Sequence, residues 1–250
     1  LYELCGSLCY EVHIDELSGR TLAPYVVETI EVEMRPNERE QYETARETYT
    51  NFLRKSRVNF QHPNGWSIFL RKTSESTEGR EAFKAYLLQK KLSQASGAKI
   101  DRLWELIQHH QGDRMLVFTQ DNEMAYDIGR SFMLPVLTHH TKLPEREAFL
   151  KAFRTGEYPI LVTSKVLNEG VDVPDANVGV IVSGSGSIRE HVQRLGRILR
   201  ARPGKQAVLY ELVSGDTGEY FTNQRRRKHR AYEGTTMLPN QSGKNYSQIN

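Results

Sequence analysis

The strongest constraint on the fold is a set of short apolar runs that recurs through the second half of the chain. Residues 115–118 (MLVF), 135–137 (PVL), 160–162 (ILV), 178–182 (VGVIV) and 207–210 (AVLY) are each strand-sized and almost uninterrupted in apolar character. Amphipathic stretches separate them. Ile100, Leu103, Trp104 and Ile107 fall at i, i+3, i+4 and i+7, the stripe of a helix introduced by Ser96–Gly97 and ended by Gly112–Asp113. Asp121–Asn122 opens a second helix that runs to about Phe132, and Pro144 starts a third, with Phe149, Leu150 and Phe153 on its apolar face and Gly156 as its stop. A fourth helix is expected over roughly 187–200. Strands alternating with helices at this spacing build βαβ units around a parallel sheet. Strands apolar along their whole length fit a sheet covered on both faces.

The front of the chain has a different character. Residues 26–33 alternate as a strand does, and 9–14 is a second candidate. Pro36 then opens a long helix with Tyr42, Ala45, Tyr49, Phe52 and Leu53 along one side. A turn at 62–65 (HPNG) follows, and a second charged helix is expected from about Thr77 to Leu92. The expected organisation is therefore N-terminal strands of the lobe over 1–34, a helical insert over 35–95, an α/β lobe over 96–232 and a frayed polar tail over 233–250.

Composition narrows the class. Hydrophobic residues make up 38% and charged residues 26%, the balance of a globular chain rather than a disordered one. No run reaches the ~18–20 apolar residues of a membrane span, and the first residues lack the basic start and apolar core of a signal peptide. A cytoplasmic location is expected. Cys5 and Cys9 are the only cysteines, and two free thiols describe them better than a disulfide scaffold or a zinc site. No metal site is expected. The net charge of +3 is unevenly spread: 1–34 carries −6, 35–95 carries +5, 96–188 carries −3 and 189–230 carries +7. Two basic blocks suggest a nucleic-acid or phosphate surface, with a solvated basic face as the plainer alternative.

The expected helix near residue 193 carries the most chemistry. At about 100° per residue, Gly196, Arg197 and Arg200 fall within about 60° of Gln193, and Arg189 shares the sector. Val192, Leu195 and Leu199 cluster elsewhere, where they would pack on a sheet. Gly196 lets a ligand approach closely, and guanidinium groups suit bidentate phosphate contact. The second informative stretch is 161–177, where a buried strand runs into a polar turn and then Glu169–Gly170–Val171–Asp172. Ligands of open α/β sheets bind beyond the carboxyl ends of strands, which is where Thr163, Ser164, Gly170 and Asp172 fall. Taken alone, a turn glycine and a local cap account for Gly170 and Asp172 equally well.

Together these residues resemble a family. Gln193–Arg–Leu–Gly–Arg–Ile–Leu–Arg200 is similar to motif VI of superfamily 2 helicases, 163–172 to motif V, and Leu116–Val–Phe–Thr119 to motif IV. The longer string from Glu169 to Ser187 resembles the XPB branch of DNA repair and transcription helicases, archaeal members most. The resemblance covers roughly 10–230. It implies a RecA-like second helicase lobe, with 35–95 as the family's thumb insert. It also implies ATP-dependent 3′-to-5′ helicase or translocase activity on DNA. Arg197 and Arg200 would reach the γ-phosphate with Gln193 beside them, and Gly170, Asp172 and Gly196 would line the nucleotide. Phe118, Thr119, Thr163 and Ser164 would lie nearer the DNA strand.

The 250 residues contain no Gly-x-x-x-x-Gly-Lys-Ser/Thr phosphate loop, and Asp15–Glu16–Leu17–Ser18 only superficially imitates motif II. The resemblance therefore implies the C-terminal half of a two-lobed motor, with ATP and Mg²⁺ held mainly by the first lobe and this chain inactive alone. The expected partners are DNA and that first lobe. A non-catalytic module docking DNA and a nuclease partner through the thumb is the alternative. Two features stay open. Ser183–Gly–Ser–Gly–Ser187 suits an anion site or lobe movement, and the basic run Arg225–Arg230 suits phosphate contact or solvation.

Overall fold

The computed structural model describes residues 25–164, 176–183 and 207–220. Its centre is a six-stranded, wholly parallel sheet. The strands are β1 (Tyr25–Val32), β2 (Met115–Phe118), β3 (Val136–Leu137), β4 (Ile160–Thr163), β5 (Val178–Ile181) and β6 (Ala207–Ser214), in the spatial order β1-β6-β5-β2-β4-β3. The α/β architecture expected from the apolar runs is the one observed. Period-2 alternation places Met115, Val117, Val178 and Val180 in one core with Leu103, Leu106, Met124 and Ile128 from two helices. Leu116, Phe118, Leu161 and Ile181 take the alternate positions and are buried as well.

Helices connect the strands in the expected places. With α1, α2 and α3 assigned to the insert below, α4 (Gly97–His109) precedes β2, α5 (Asn122–Phe132) precedes β3, and α6 (Leu143–Thr155) precedes β4. Their ends follow local chemistry. Ser96 caps α4 by accepting the Lys99 amide at 3.4 Å, and Asp121 caps α5 by accepting the Met124 amide at 2.9 Å. Gly156 closes α6 at φ 83, a left-handed conformation natural to glycine. The helix expected over 187–200 and the strand over 9–14 lie outside the described residues.

The insert departs from expectation. It holds three helices, α1 (Pro36–Ser56), α2 (Gly65–Ser74) and α3 (Thr77–Gln94), where the sequence suggested two joined by a loop. The additional helix is α2, whose Trp66, Phe69, Leu70 and Thr73 fall at i, i+3, i+4 and i+7. Phe69 is wholly buried and packs with Phe52 and Ala82. Tyr49 meets it edge-on, with ring centroids 5.7 Å apart at 88°. Gly65 starts α2 where any side chain would collide with the backbone, since a Cβ would lie 2.4 Å from Asn59 O.

The insert is fastened to the lobe at its base. Arg35 pairs with Asp101 at 2.5 Å, and Glu38 accepts the Gly97 amide at 2.6 Å. Arg39 donates to Gly215 O at 3.0 Å, and Tyr42 OH accepts the Gly218 amide at 3.3 Å. From the other end of the insert, Ser93 O accepts Ser214 Oγ at 2.7 Å, and Lys91 pairs with Glu123 at 3.0 Å. Hydrogen bonding to Asp101, reinforced by its charge, raises the Arg35 pKa, and Glu123 raises that of Lys91 in the same way.

Candidate functional site

A parallel sheet brings the carboxyl ends of all its strands to one edge. At that edge three adjacent strands, β5, β2 and β4, end with Val182–Ser183, Phe118–Thr119 and Thr163–Ser164 just beyond or within their last pairings. The Thr119 amide donates to Thr163 O at 2.9 Å and the Val182 amide to Phe118 O at 3.0 Å, so the ladder runs to the last residue on both sides of β2. From Ser164 the chain proceeds towards Gly170 and Asp172, and from Ser183 towards Gln193, Gly196, Arg197 and Arg200. Those six residues lie outside the described ones.

Side-chain bonds knit the edge. Thr119 Oγ1 donates to Asp121 O at 2.8 Å, which ties the end of β2 to the capping residue of α5. Ser164 Oγ donates to Asn122 Oδ1 at 2.6 Å, and Asn122 Nδ2 lies 3.1 Å from His139 Nδ1. Ser183 Oγ accepts the Gln120 amide at 2.8 Å and points its own hydrogen at Met124 Sδ, 3.1 Å away. Residues from β2, β4, β5 and the loop after β3 are thus linked through the first turn of α5. Around it, Asp121, His139 and His140 are exposed, with the two imidazole centroids 3.9 Å apart.

The structure brings together the four residues expected near DNA, but not as a contact surface. Phe118, Thr119, Thr163 and Ser164 are each at most 1% exposed. Phe118 belongs to the core, and the three hydroxyls are spent on neighbours within the edge. The resemblance implied a place near the DNA strand for Thr119, Thr163 and Ser164, and all three terminate strands internally. Gln120 and Asn122, which the sequence did not single out as site residues, are less buried at the same edge. Asn122 is half-buried and bridges Ser164 to His139, Ser183 fixes the end of β5, and Gln120 Oε1 is buried with no hydrogen-bond partner among the described residues. Gln120 directly follows Thr119 in sequence and Asn122 lies three positions beyond Thr119, which was the available signal.

Among the described residues no grouping of three or more His, Cys, Asp or Glu side chains offers a metal site, and no helix is long and apolar enough to cross a membrane.

Comparison with known proteins agrees with this architecture. Residues 98–202 match the family model described as helicase conserved C-terminal domain. The DNA 3'-5' translocase XPB2 of Sulfurisphaera tokodaii is 36% identical over 225 residues, 90% of this chain and 51% of the relative. The DNA 3'-5' helicase XPB of Mycobacterium tuberculosis is 39% identical over 132 residues, 51% of this chain and 24% of the relative. The general transcription and DNA repair factor IIH helicase/translocase subunit XPB of Enterocytozoon bieneusi is 33% identical over 161 residues, 59% of this chain and 26% of the relative. The chain thus spans from about a quarter to about half the length of these relatives.

Solved structures share the fold at low identity. The C-terminal part of the Fun30 ATPase domain has a TM-score of 0.59 over 85% of this chain and 92% of its own, at 14% identity. The C-terminal domain of the DEAD-box protein Dbp5 has a TM-score of 0.51 over 58% and 84%, at 20% identity. The α/β lobe is therefore RecA-like, residues 98–202 match the helicase conserved C-terminal domain, and the chain is similar to XPB-type helicases, an archaeal translocase among them.

Proposed function

We propose that the chain is the second-lobe half of an ATP-dependent 3′-to-5′ DNA helicase or translocase acting in DNA repair. The observation that carries this reading is the common exit of β5, β2 and β4 at one sheet edge, from which the segments similar to motifs VI, IV and V all set out. In the intact motor Arg197 and Arg200 meet the γ-phosphate from across the cleft. Planar guanidinium groups there counter the charge that spreads over the phosphoryl oxygens in the transition state. Gln193 lies beside them, Gly196 and Gly170 admit the nucleotide to the backbone, and Asp172 accepts a hydroxyl of the ribose. The phosphate loop and the Mg²⁺ carboxylate come from the first lobe, since the 250 residues hold no Walker-type loop.

On the DNA side, the buried quartet Phe118, Thr119, Thr163 and Ser164 acts by shaping the loops beyond it. Gln120, Asn122 and His139 supply the groups nearer the strand. Closure on ATP and opening after hydrolysis would alternate the grip between lobes. The test is DNA-stimulated ATP hydrolysis by this chain reconstituted with a first lobe. Turnover that requires both parts and DNA supports the reading, and no turnover from a folded two-lobed protein contradicts it.

A second reading, a non-catalytic module that docks DNA and a nuclease through the insert, is favoured by one observation. Phe60, Trp66, Leu70, Leu87 and Leu88 are large apolar residues exposed on the insert. A stoichiometric complex with a nuclease, formed without nucleotide or DNA and lost on changing Trp66 and Leu87, would support that role.

A further inference from the structure

Lys99 occupies the first turn of α4 and is wholly buried. A lysine ammonium out of water requires close compensation. Its Nζ donates to Glu219 Oε2 at 2.6 Å and to Val182 O at 3.0 Å. Glu219 is itself 7% exposed, and the same Oε2 accepts the Ser214 amide at 3.2 Å. Val182 is the first residue past β5, and Ser214 is the last of β6. The register of these two strands ends at Ile181 with Glu211, so neither Val182 O nor the Ser214 amide has a ladder position across that pair. One buried ion pair therefore caps a carbonyl leaving β5 and an amide closing β6. On its other side Val182 is held through its own amide to Phe118 O, and Ser183 is held by the Gln120 amide.

Such a pair is seldom kept for stability alone. Well-packed apolar residues of similar volume are often equally or more stabilising than a buried ion pair, while loss of one partner leaves an uncompensated charge. What apolar residues cannot do is hold a strand-end carbonyl in a fixed place. We infer that Lys99 and Glu219 are positioning residues, acting through the Val182–Ser183 exit of β5 to set where the chain departs towards Gln193, Arg197 and Arg200. The consequence for turnover rests on the function proposed for those three residues. Lys99 touches none of the reacting atoms. It transmits the placement of α4, and of the Thr217–Tyr220 turn, to the segment that does.

The decisive variant is Lys99→Met combined with Glu219→Met, which removes both charges and keeps the volume while leaving Val182 O and the Ser214 amide uncapped. Its melting temperature should stay close to that of the unaltered chain. Amide hydrogen exchange over 183–200 should nevertheless quicken about tenfold or more, with α1 and β2 unchanged. In the two-lobed protein, kcat should fall about tenfold or more while KM for ATP changes by less than about threefold, because placement matters most in the transition state. Unchanged exchange over 183–200 together with full turnover would overturn the inference and leave the pair as packing. If the double variant does not fold, Glu219→Gln replaces it: acceleration confined to 183–200 supports the inference, and uniform acceleration or none overturns it. Arg197→Ala, measured beside these, separates the two claims. Full turnover in that variant defeats the proposed function, while the exchange result still judges the positioning role.

Discussion

Glu38 and Gly97 meet across the junction between insert and lobe: the Glu38 carboxylate accepts the Gly97 amide at 2.6 Å through one oxygen and the Arg35 amide at 3.2 Å through the other. Gly97 opens α4, so this carboxylate also sits favourably at a helix N-terminus. A Cβ on Gly97 would lie 2.9 Å from Arg35 Nη1 and 3.1 Å from Glu38 Oε1, which leaves little room for a side chain. Glu38→Ala should cost about 1.5–3 kcal/mol, the usual range for a hydrogen bond to a charged acceptor. Glu38→Gln should recover part of it. Urea unfolding of the three proteins checks this, and an unaltered midpoint for Glu38→Ala would show that the junction does not depend on this contact.

The insert should weaken in strong base. Burial, with a smaller contribution from Tyr86, pushes the Tyr49 pKa up to about 12 from the ordinary tyrosine value of 10.0. A group whose folded pKa is raised contributes stability that is fully present below its unfolded value and is lost as pH rises through the folded one. The stability contributed by neutral Tyr49 should therefore fall between about pH 10 and pH 12. Tyr49→Phe should flatten that part of the profile, read from tyrosinate absorbance and melting temperature together.

Two aromatic residues of α2 should respond unequally. Phe69 is wholly buried at the centre of the insert, and Trp66 is 44% exposed. Phe69→Ala should cost about 3–5 kcal/mol, as large truncations in cores do. Trp66→Ala should cost clearly less, because half its surface already faces water. Equal losses in chemical denaturation would mean that the helix docks differently.

DNA binding by this chain should persist without ATP and weaken steeply with salt, since 35–95 carries +5 and 189–230 carries +7. Fluorescence anisotropy of a single-stranded oligonucleotide between low and physiological salt is the measurement. An affinity flat across that range would argue against an electrostatic track and favour the docking role.

Much of the lobe was legible because burial on both faces writes itself as uninterrupted apolar runs. Residues 115–118 mark β2 to the residue, and 178–182 overruns β5 by one. β6 is longer than its apolar run of 207–210, extending to Ser214, because Glu211 interrupts the pattern. That carboxylate is 1% exposed and accepts Thr29 Oγ1 at 3.1 Å, a partner 182 residues away that no local pattern reveals. α2 was hidden for a different reason. The turn residues of 62–65 and the Ser/Thr-rich 73–77 bracket a helix of only 10 residues, shorter than the windows in which periodicity is persuasive. At the site, the Arg, Gln and Gly positions rest on spacing and resemblance and lie outside the described residues. The burial of Phe118, Thr119, Thr163 and Ser164 was not, because whether a hydroxyl faces solvent or a neighbouring strand depends on partners distant in sequence.

Most direct of all is the DNA-stimulated ATPase rate of the two-lobed protein carrying Arg197→Ala or Arg200→Ala. The 250-residue chain alone should hydrolyse no ATP above background, for want of a phosphate loop. With both lobes present, each substitution should leave the melting temperature nearly unchanged, since surface changes usually stay within about 0.5 kcal/mol. Turnover should fall by orders of magnitude, about 10³–10⁵ if these residues act as arginine fingers do elsewhere. Arg→Lys should restore little, because an ammonium lacks the planar fork. Such a loss with nucleotide affinity largely kept is the expected result; normal turnover in both alanine variants would contradict it and leave the row of arginines as a solvated basic face.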